Sequence, residues 1–419
     1  MERARFTGVV ACLALTVTGC TAATPSASSP PSGTATGGPR TTPGSTAGES
    51  PSATVSPSVS PTSGIADDPP LAPGAWRVIS VPGATSVSDA VALPGGGLLA
   101  VGASDWNGAV WTSPDGENWT PVTDVPPIGA EEAKGLGVVL PLSGGGFLAG
   151  GGKGVRYGEG YQSVVWVSDD GLAWRESAVV SGFQLDLLEG GPGFISVGAR
   201  PGLSYLNGAL AWTSADGSAW AETPAVPAPD RSAMIDLVRF GDRFIAVGAT
   251  GDLGPTQGLT WSSADGATWE LSPEDDALAG AGLSRVAVVN GELLAAGSIV
   301  VEANQGLRRP ALWTSPKGAS WTRAYEQSCC GEFVDLLVRP AGVLGVYRWY
   351  QPVTGSGSLV LVRGLPDGSW QMIGRPDVAA DVVMTGIVQV GDRLVGLGYR
   401  QAGDATEGVI LLPPGDLDA

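Results

Sequence analysis

The sequence predicts an all-β fold: a β-propeller of seven four-stranded antiparallel blades, with six as the alternative, following a signal peptide and a disordered linker. Three observations predict it. A box ending in Trp-Thr-Ser-x-Asp-Gly-x-x-Trp recurs about every fifty residues. The chain is rich in Gly (64), Pro (33) and Trp (14) and only 15% charged, which suits short strands joined by tight turns rather than helices. The two ends of the repeat array hold complementary parts of one more blade, so the ring can close and leave no sheet edge exposed.

In chain order, residues 1–20 read M-E-R-A-R-F-T-G-V-V-A-C-L-A-L-T-V-T-G-C. Arg3 and Arg5 form a positive start, and residues 6–17 an apolar stretch too short to span a bilayer comfortably. The ending V-T-G-C resembles the bacterial lipobox, with Val17, Thr18 and Gly19 in the positions before the modified cysteine. The resemblance implies that residues 1–19 are a lipoprotein signal peptide removed on export, and that Cys20 is lipidated. It implies a chain held on the extracellular side of the cell membrane. More than one acyl chain gives durable attachment.

Residues 21–75 contain no aromatic side chain and consist mainly of Ser, Thr, Pro, Ala and Gly. Such a stretch cannot bury apolar surface, so a disordered, extended spacer is expected over 20–75. At about 3 Å per residue its reach is on the order of 150 Å. Residues 76–412 are then the propeller and 413–419 a tail.

The box occurs as Ser113-Pro114-Asp115-Gly116 before Trp119, and as Ser168-Asp169-Asp170-Gly171 before Trp174. It returns at Ser214, Asp216, Gly217 and Trp220, and at Ser263, Asp265, Gly266 and Trp269. Lys317 replaces the Asp before Trp321, and Pro366-Asp367-Gly368 before Trp370 is worn down. Asp-Gly supplies the positive-φ residue that a short turn needs, and the carboxylate can accept turn N–H groups. The Trp is expected to pack over the turn against the next blade. The second strands, such as F-I-A-V-G at residues 244–248, are rich in small residues, which suits the narrow centre of a ring. After Trp370 the chain offers three strands, at 385–390, 394–398 and 408–412, and residues 76–81 form a lone fourth strand that starts with Trp. Pairing them gives seven blades.

These boxes resemble the Asp-box repeat of sialidase-type propellers, S-x-D-x-G-x-T-W, but lack the residue between Asp and Gly and mostly lack the Thr. The resemblance covers residues 76–412. It implies that the boxes lie on the face opposite any active site, so Asp115, Asp170, Asp216 and Asp265 are expected to be structural.

The candidate ligand site therefore belongs on the opposite, variable rim. Aligning blades on the second-strand Gly puts Asp89, Asp186, Asp236 and Asp335 at one position near the start of the first strand, with Arg285 in blade 5, Leu136 in blade 2 and Gly386 in blade 7. Either the carboxylates form a cation or cationic-ligand site, or each caps backbone N–H groups of a neighbouring blade. Cys329-Cys330 in the loop entering blade 6 suits a vicinal disulfide outside the cytoplasm, with free thiols or a crosslink to a partner as alternatives. Tyr347, Arg348, Trp349 and Tyr350 are expected to form an aromatic rim loop, with Arg156, Tyr157, Tyr161 and Tyr205 on neighbouring loops.

Composition removes several functions. There is no His, which excludes His triads and His-ligated zinc, and no Cys-x-x-Cys pair; no metal site, cofactor or catalytic residue is assigned. A formal charge of −18 repels phosphate backbones, so nucleic acid is not an expected partner. The expectation is a monomeric, non-catalytic recognition or scaffolding module for a glycan, peptide or protein. The alternative is a sialidase-like glycoside hydrolase, for which the resemblance implies three arginines, a Tyr–Glu nucleophile pair and an Asp acid/base. The Arg-Ile-Pro motif of that family is missing, since Val78 and Ile79 follow Arg77. Arg285, Tyr347 and Glu332 are the best available candidates.

Overall fold

A computed structural model describes residues 3–5, 69–105, 107–125, 133–153, 162–201, 207–251, 255–302, 307–328, 330–350, 357–391, 393–403 and 405–417. Seven antiparallel blades of four strands form the ring. Blade 1 holds Ser86–Ala92, Leu98–Ser104, Asn107–Ser113 and Thr120–Pro121. Blades 2 to 6 repeat the plan and begin at Ala133–Pro141, Phe183–Gly190, Ser232–Phe240, Ala281–Val289 and Gly331–Arg339. Blade 7 joins Val382–Val390, Arg393–Ala402 and Ala405–Leu412 to Arg77–Ser80 from the other end of the chain. Arg77 pairs with Leu412 and Ser80 with Val409, so the ring closes as the sequence predicts. A further short strand, Arg3–Arg5, runs antiparallel to Phe183–Gly190. Among the described residues, no helix is long and apolar enough to cross a membrane.

The second strand does not line the centre. The first strands do, and the second-strand glycines exist because the two strands approach closely. Gly102, Gly198, Gly248, Gly297 and Gly398 each face the carbonyl oxygen of a first-strand residue, which leaves no room for a Cβ. A bulge follows at this level in each blade, as between Val87 and Asp89 or Met234 and Asp236. In blade 6 Tyr347 takes the glycine's place, opposite Phe333.

The box turns repay the detail of their sequence. Asp265 Oδ1 accepts the N–H groups of Ala267 and Thr268 at 2.8 and 2.7 Å, and Ser263 Oγ accepts Gly266 N–H at 2.8 Å. The Trp269 indole N–H closes the turn on Gly266 O at 3.1 Å. Asp115, Asp170 and Asp216 make the corresponding contacts. The turns pack on the preceding blade, not the next. Trp269 of blade 4 shares a core cluster with Ile195 and Val197 of blade 3, and Trp119 of blade 1 with Val395 and Leu397 of blade 7. The box glycine serves that contact too: a Cβ on Gly171 would lie 2.6 Å from Leu99 Cδ1 of blade 1. The Trp of the third strand has a separate role. Trp111, Trp261 and Trp313 are fully buried, and each donates its indole N–H to the chain crossing in from the preceding blade, at Pro82, Pro227 and Ala277 O.

Backbone N–H groups hold the box carboxylates low. Thr268 and Ala267 bring Asp265 down to about 2, and Asn118 acts most strongly on Asp115, which is also lowered. These groups are more acidic folded than unfolded. Their stabilisation is therefore complete above the unfolded value near 4 and is lost as pH falls through the folded values. Urea midpoints measured from pH 5 down to pH 2 should fall, and Asp265→Ala should make that fall shallower while lowering the midpoint at pH 7.

Residues 69–75 depart from the spacer expected over 20–75. Leu71–Ala75 forms a fifth strand, parallel to the outer strand Trp370–Asp377 of blade 6. Leu417, in the expected tail, is buried in the cluster shared by blades 6 and 7.

Candidate functional site

The first strands surround a cavity of about 680 Å³ in the central channel, lined mainly by Ala, Val and Leu side chains together with Asp89 and Asp335. Asp186 and Asp236 hold the corresponding first-strand position in blades 3 and 4, and all four aligned carboxylates are buried. Each of three reaches the next blade. Asp89 Oδ2 accepts Val139 N–H at 2.9 Å, Asp186 Oδ2 accepts Leu237 N–H at 2.9 Å, and Asp236 Oδ2 accepts Val286 N–H at 2.6 Å. Of the two roles open to these residues, this geometry is that of capping between blades. Among the described residues, no three acidic or cysteine side chains gather as a metal cage.

In blades 1 and 6, whose preceding blades lack the Asp, the carboxylate also turns back on its own strand. Blade 7 contributes Gly386, and Asp89 Oδ1 accepts the N–H of its own neighbour Ala90 at 2.8 Å. Blade 5 contributes Arg285, which cannot accept, and Asp335 Oδ1 takes Leu336 N–H at 2.7 Å. Arg285 Nε lies 3.7 Å from Asp335 Oδ1, with both side chains about 95% buried. In blade 2 the ring position belongs to Val138, not Leu136. Leu136 pairs with Gly151 and Val138 with Gly150, and the run Gly150-Gly151-Gly152 hides which glycine sets the alignment.

The aromatic rim is also placed differently. Tyr347, Trp349 and Tyr350 belong to the strand Gly342–Tyr350 rather than a loop. Tyr347 is fully buried, its ring centroid 5.6 Å from that of Phe333, and Trp349 is buried beside it. Neither offers a face for stacking. The residues are apolar enough to pack in the seam between blades 5 and 6, and the strand carries them there. Cys20, Cys329, Arg156, Tyr157, Tyr161 and Tyr205 lie outside the described residues. Cys330 is buried and disulfide-bonded.

The structure brings together a cluster that the sequence does not assemble. Tyr350 Oη donates to Glu332 Oε1 at 2.8 Å, and Arg308 Nη1 donates to Glu332 Oε2 at 2.6 Å. Arg348 stands directly across the strand pair from Glu332. Tyr350 N–H is held by Cys330 O at 2.9 Å, which ties the cluster to the disulfide-bonded residue. Arg308 and Glu332 keep 21% and 15% of their side-chain surface exposed, so solvent reaches the pair. Burial, and next the Glu332 charge, push the Tyr350 hydroxyl well above its usual value. Arg308, Glu332, Ser284, Ser298 and Phe333 line a crevice of about 30 Å³. The signal for this cluster was the lengthened second strand Glu292–Glu302, which carries Arg308 to the rim on the strand that follows. The proposed trio of Arg285, Tyr347 and Glu332 is not brought together: Arg285 pairs with Asp335, and Tyr347 lies in the seam.

No protein-family model matches the chain, and no curated protein does. Solved structures do resemble it. One described as YCF48 bound to D1 peptide superposes with a TM-score of 0.53 at 17% identity, covering 84% of this chain and 99% of that one. The GH74 xyloglucanase from Xanthomonas campestris gives 0.50 at 15% identity, covering 78% of this chain and 54% of that one. A Trypanosoma rangeli sialidase in complex with sialic acid gives 0.39 at 13% identity, covering 82% and 55%, too loose a likeness to carry an argument. The identities show a shared fold.

Proposed function

We propose that this chain is a recognition propeller for a peptide or protein partner, tethered through lipid on Cys20 to the outer side of the cell membrane. The observation that carries the reading is the Arg308–Glu332–Tyr350 cluster. It joins charge and an aromatic hydroxyl at a solvent-reached place on the rim, while the acidic ring is committed to joining blades. Charge-assisted and aromatic groups held in a fixed arrangement are what a polar partner strand or loop engages. The likeness to a peptide-bound propeller over nearly all of that protein's length supports a protein ligand.

The test is an array of peptides and glycans probed with the soluble chain starting at Thr21. A peptide hit should lose about tenfold in affinity with Arg308→Ala, roughly the worth of one charge-assisted hydrogen bond, and be unchanged by Asp115→Ala. Binding indifferent to Arg308 and Tyr350 would move the site elsewhere. Mass spectrometry of the membrane fraction tests the anchor, and an unmodified chain in the medium would remove it.

A second reading has one observation in its favour. The Tyr350–Glu332 contact is of the kind that a sialidase-type glycosidase uses as its nucleophile pair. Arg308 weighs against it, because its ion pair at 2.6 Å already occupies Glu332 Oε2, the oxygen left over by the Tyr350 contact. Release of a fluorogenic sialoside by the purified chain, abolished by Tyr350→Phe, would establish this reading over the first.

A further inference from the structure

We infer that residues 69–75 are a strap that takes pulling force from the tether before it reaches the strand that closes the ring. The source of that force rests on the tethered reading above; the strap itself does not. The ring is closed by only four residues, Arg77–Ser80, each paired with one residue of the third strand of blade 7. They stand at the end of the propeller that the tether would pull. A strand pulled from its end loses its hydrogen bonds one after another, so such a closure is weak against tension.

The chain does not enter that strand directly. It first crosses the outer edge of blade 6. Arg375 clamps it twice, with its N–H on Pro70 O at 2.7 Å and its Nε on Pro69 O at 2.9 Å. Trp76 N–H then bonds Asp377 O at 2.9 Å, and the Trp76 indole is buried among residues of blades 6 and 7. Pro69 and Ala72 are buried as well.

Blade 6 is shaped to receive this segment. Gly374 sits at φ +126, and a Cβ there would lie 2.5 Å from Pro70 O and 2.9 Å from Ala72 N. The register of its strand shifts at the same point, where Leu361 pairs with Gly374 and Val362 with Met372. The strap supplies acceptors to blade 6, while Pro69, Pro70 and Pro73 have no N–H to offer beyond it, so the sheet ends there. A force on the tether therefore meets the Arg375 clamp and the seated Trp76 before any hydrogen bond of the closing strand.

The experiment pulls the full mature chain in magnetic tweezers between the start of the tether and the C-terminus. Wild type should release the strap in a small first step and open the ring only at a higher force. Gly374→Val, which fills the strap's seat, and Arg375→Ala, which removes one clamp without touching the sheet backbone, should lose the first step and open the ring at lower force. Hydrogen exchange on the same proteins at rest should show protection of the Trp76 amide falling by about tenfold in both variants, with Val78 unchanged. If wild type and Arg375→Ala open at the same force with no preceding step, or if the Trp76 amide is unprotected in wild type, the strap takes no load. An unmodified Cys20 would end the tethered reading and leave these measurements standing.

Discussion

Gly198→Ala should be among the most destabilising single substitutions in the chain, although it adds one methyl group to a strand. The Cβ would fall on the Phe183 carbonyl oxygen, a backbone atom that cannot rotate away. Overfilling a core costs about 1–3 kcal/mol when side chains can adjust, and more when the backbone must move. Here the inner hairpin of blade 3 would have to part at the bulge between Gln184 and Asp186, the point from which Asp186 reaches Leu237 of blade 4. The loss should therefore be at least about 3 kcal/mol and spread to the neighbouring seam. Gly241→Ala is the control: φ there is +63 and nothing lies within 4 Å, so only backbone strain of about 1 kcal/mol is expected. Denaturant unfolding of the two variants separates close approach from conformational strain. Equal losses would mean that the second-strand glycines are there for backbone freedom alone.

The blade count was legible because its signals are local. Trp76 opens a strand that has no partners of its own, and the ending strands lack a fourth member, so pairing the two favours seven blades over six. The box turns were legible for the same reason: Ser263, Asp265, Gly266 and Trp269 bond within seven residues of one another. What stayed hidden depends on contacts between blades. The bulges moved the ring position to Val138 through a run of glycines that no spacing resolves. Tyr347 and Trp349 read as rim aromatics because nothing in their sequence says that strand Gly342–Tyr350 is two residues longer than its counterpart in blade 1. Arg308, Glu332 and Tyr350 are separated by 24 and 18 residues and meet only once blades 5 and 6 pack. The strap has the composition of a spacer, Leu71-Ala72-Pro73-Gly74-Ala75. Its order comes from the edge of blade 6, about 300 residues away in the chain.

Arg285→Ala is expected to be the other large effect, and it decides whether Arg285 belongs to a binding site or to the ring. Removing the guanidinium would take a positive charge from beside the Asp335 carboxylate, itself about 96% buried. Breaking a buried pair from one side costs roughly 3–5 kcal/mol, because the remaining charge stays desolvated. Asp335 cannot simply leave, since its Oδ1 also accepts Leu336 N–H, a group that blade 5 cannot serve while it carries Arg at this position. A second substitution should relieve the first. Asp335→Asn keeps an acceptor for Leu336 N–H and removes the charge, so Arg285→Ala with Asp335→Asn should recover about 1–3 kcal/mol relative to the sum of the single losses. Thermal or urea unfolding of the four proteins measures that coupling. Ligand binding measured on the same set separates the two roles. If Arg285 only offsets the charge of Asp335, the double substitution restores binding along with stability. If Arg285 holds a ligand, the refolded double variant stays inactive, and the site must be moved from the rim of blades 5 and 6 into the channel.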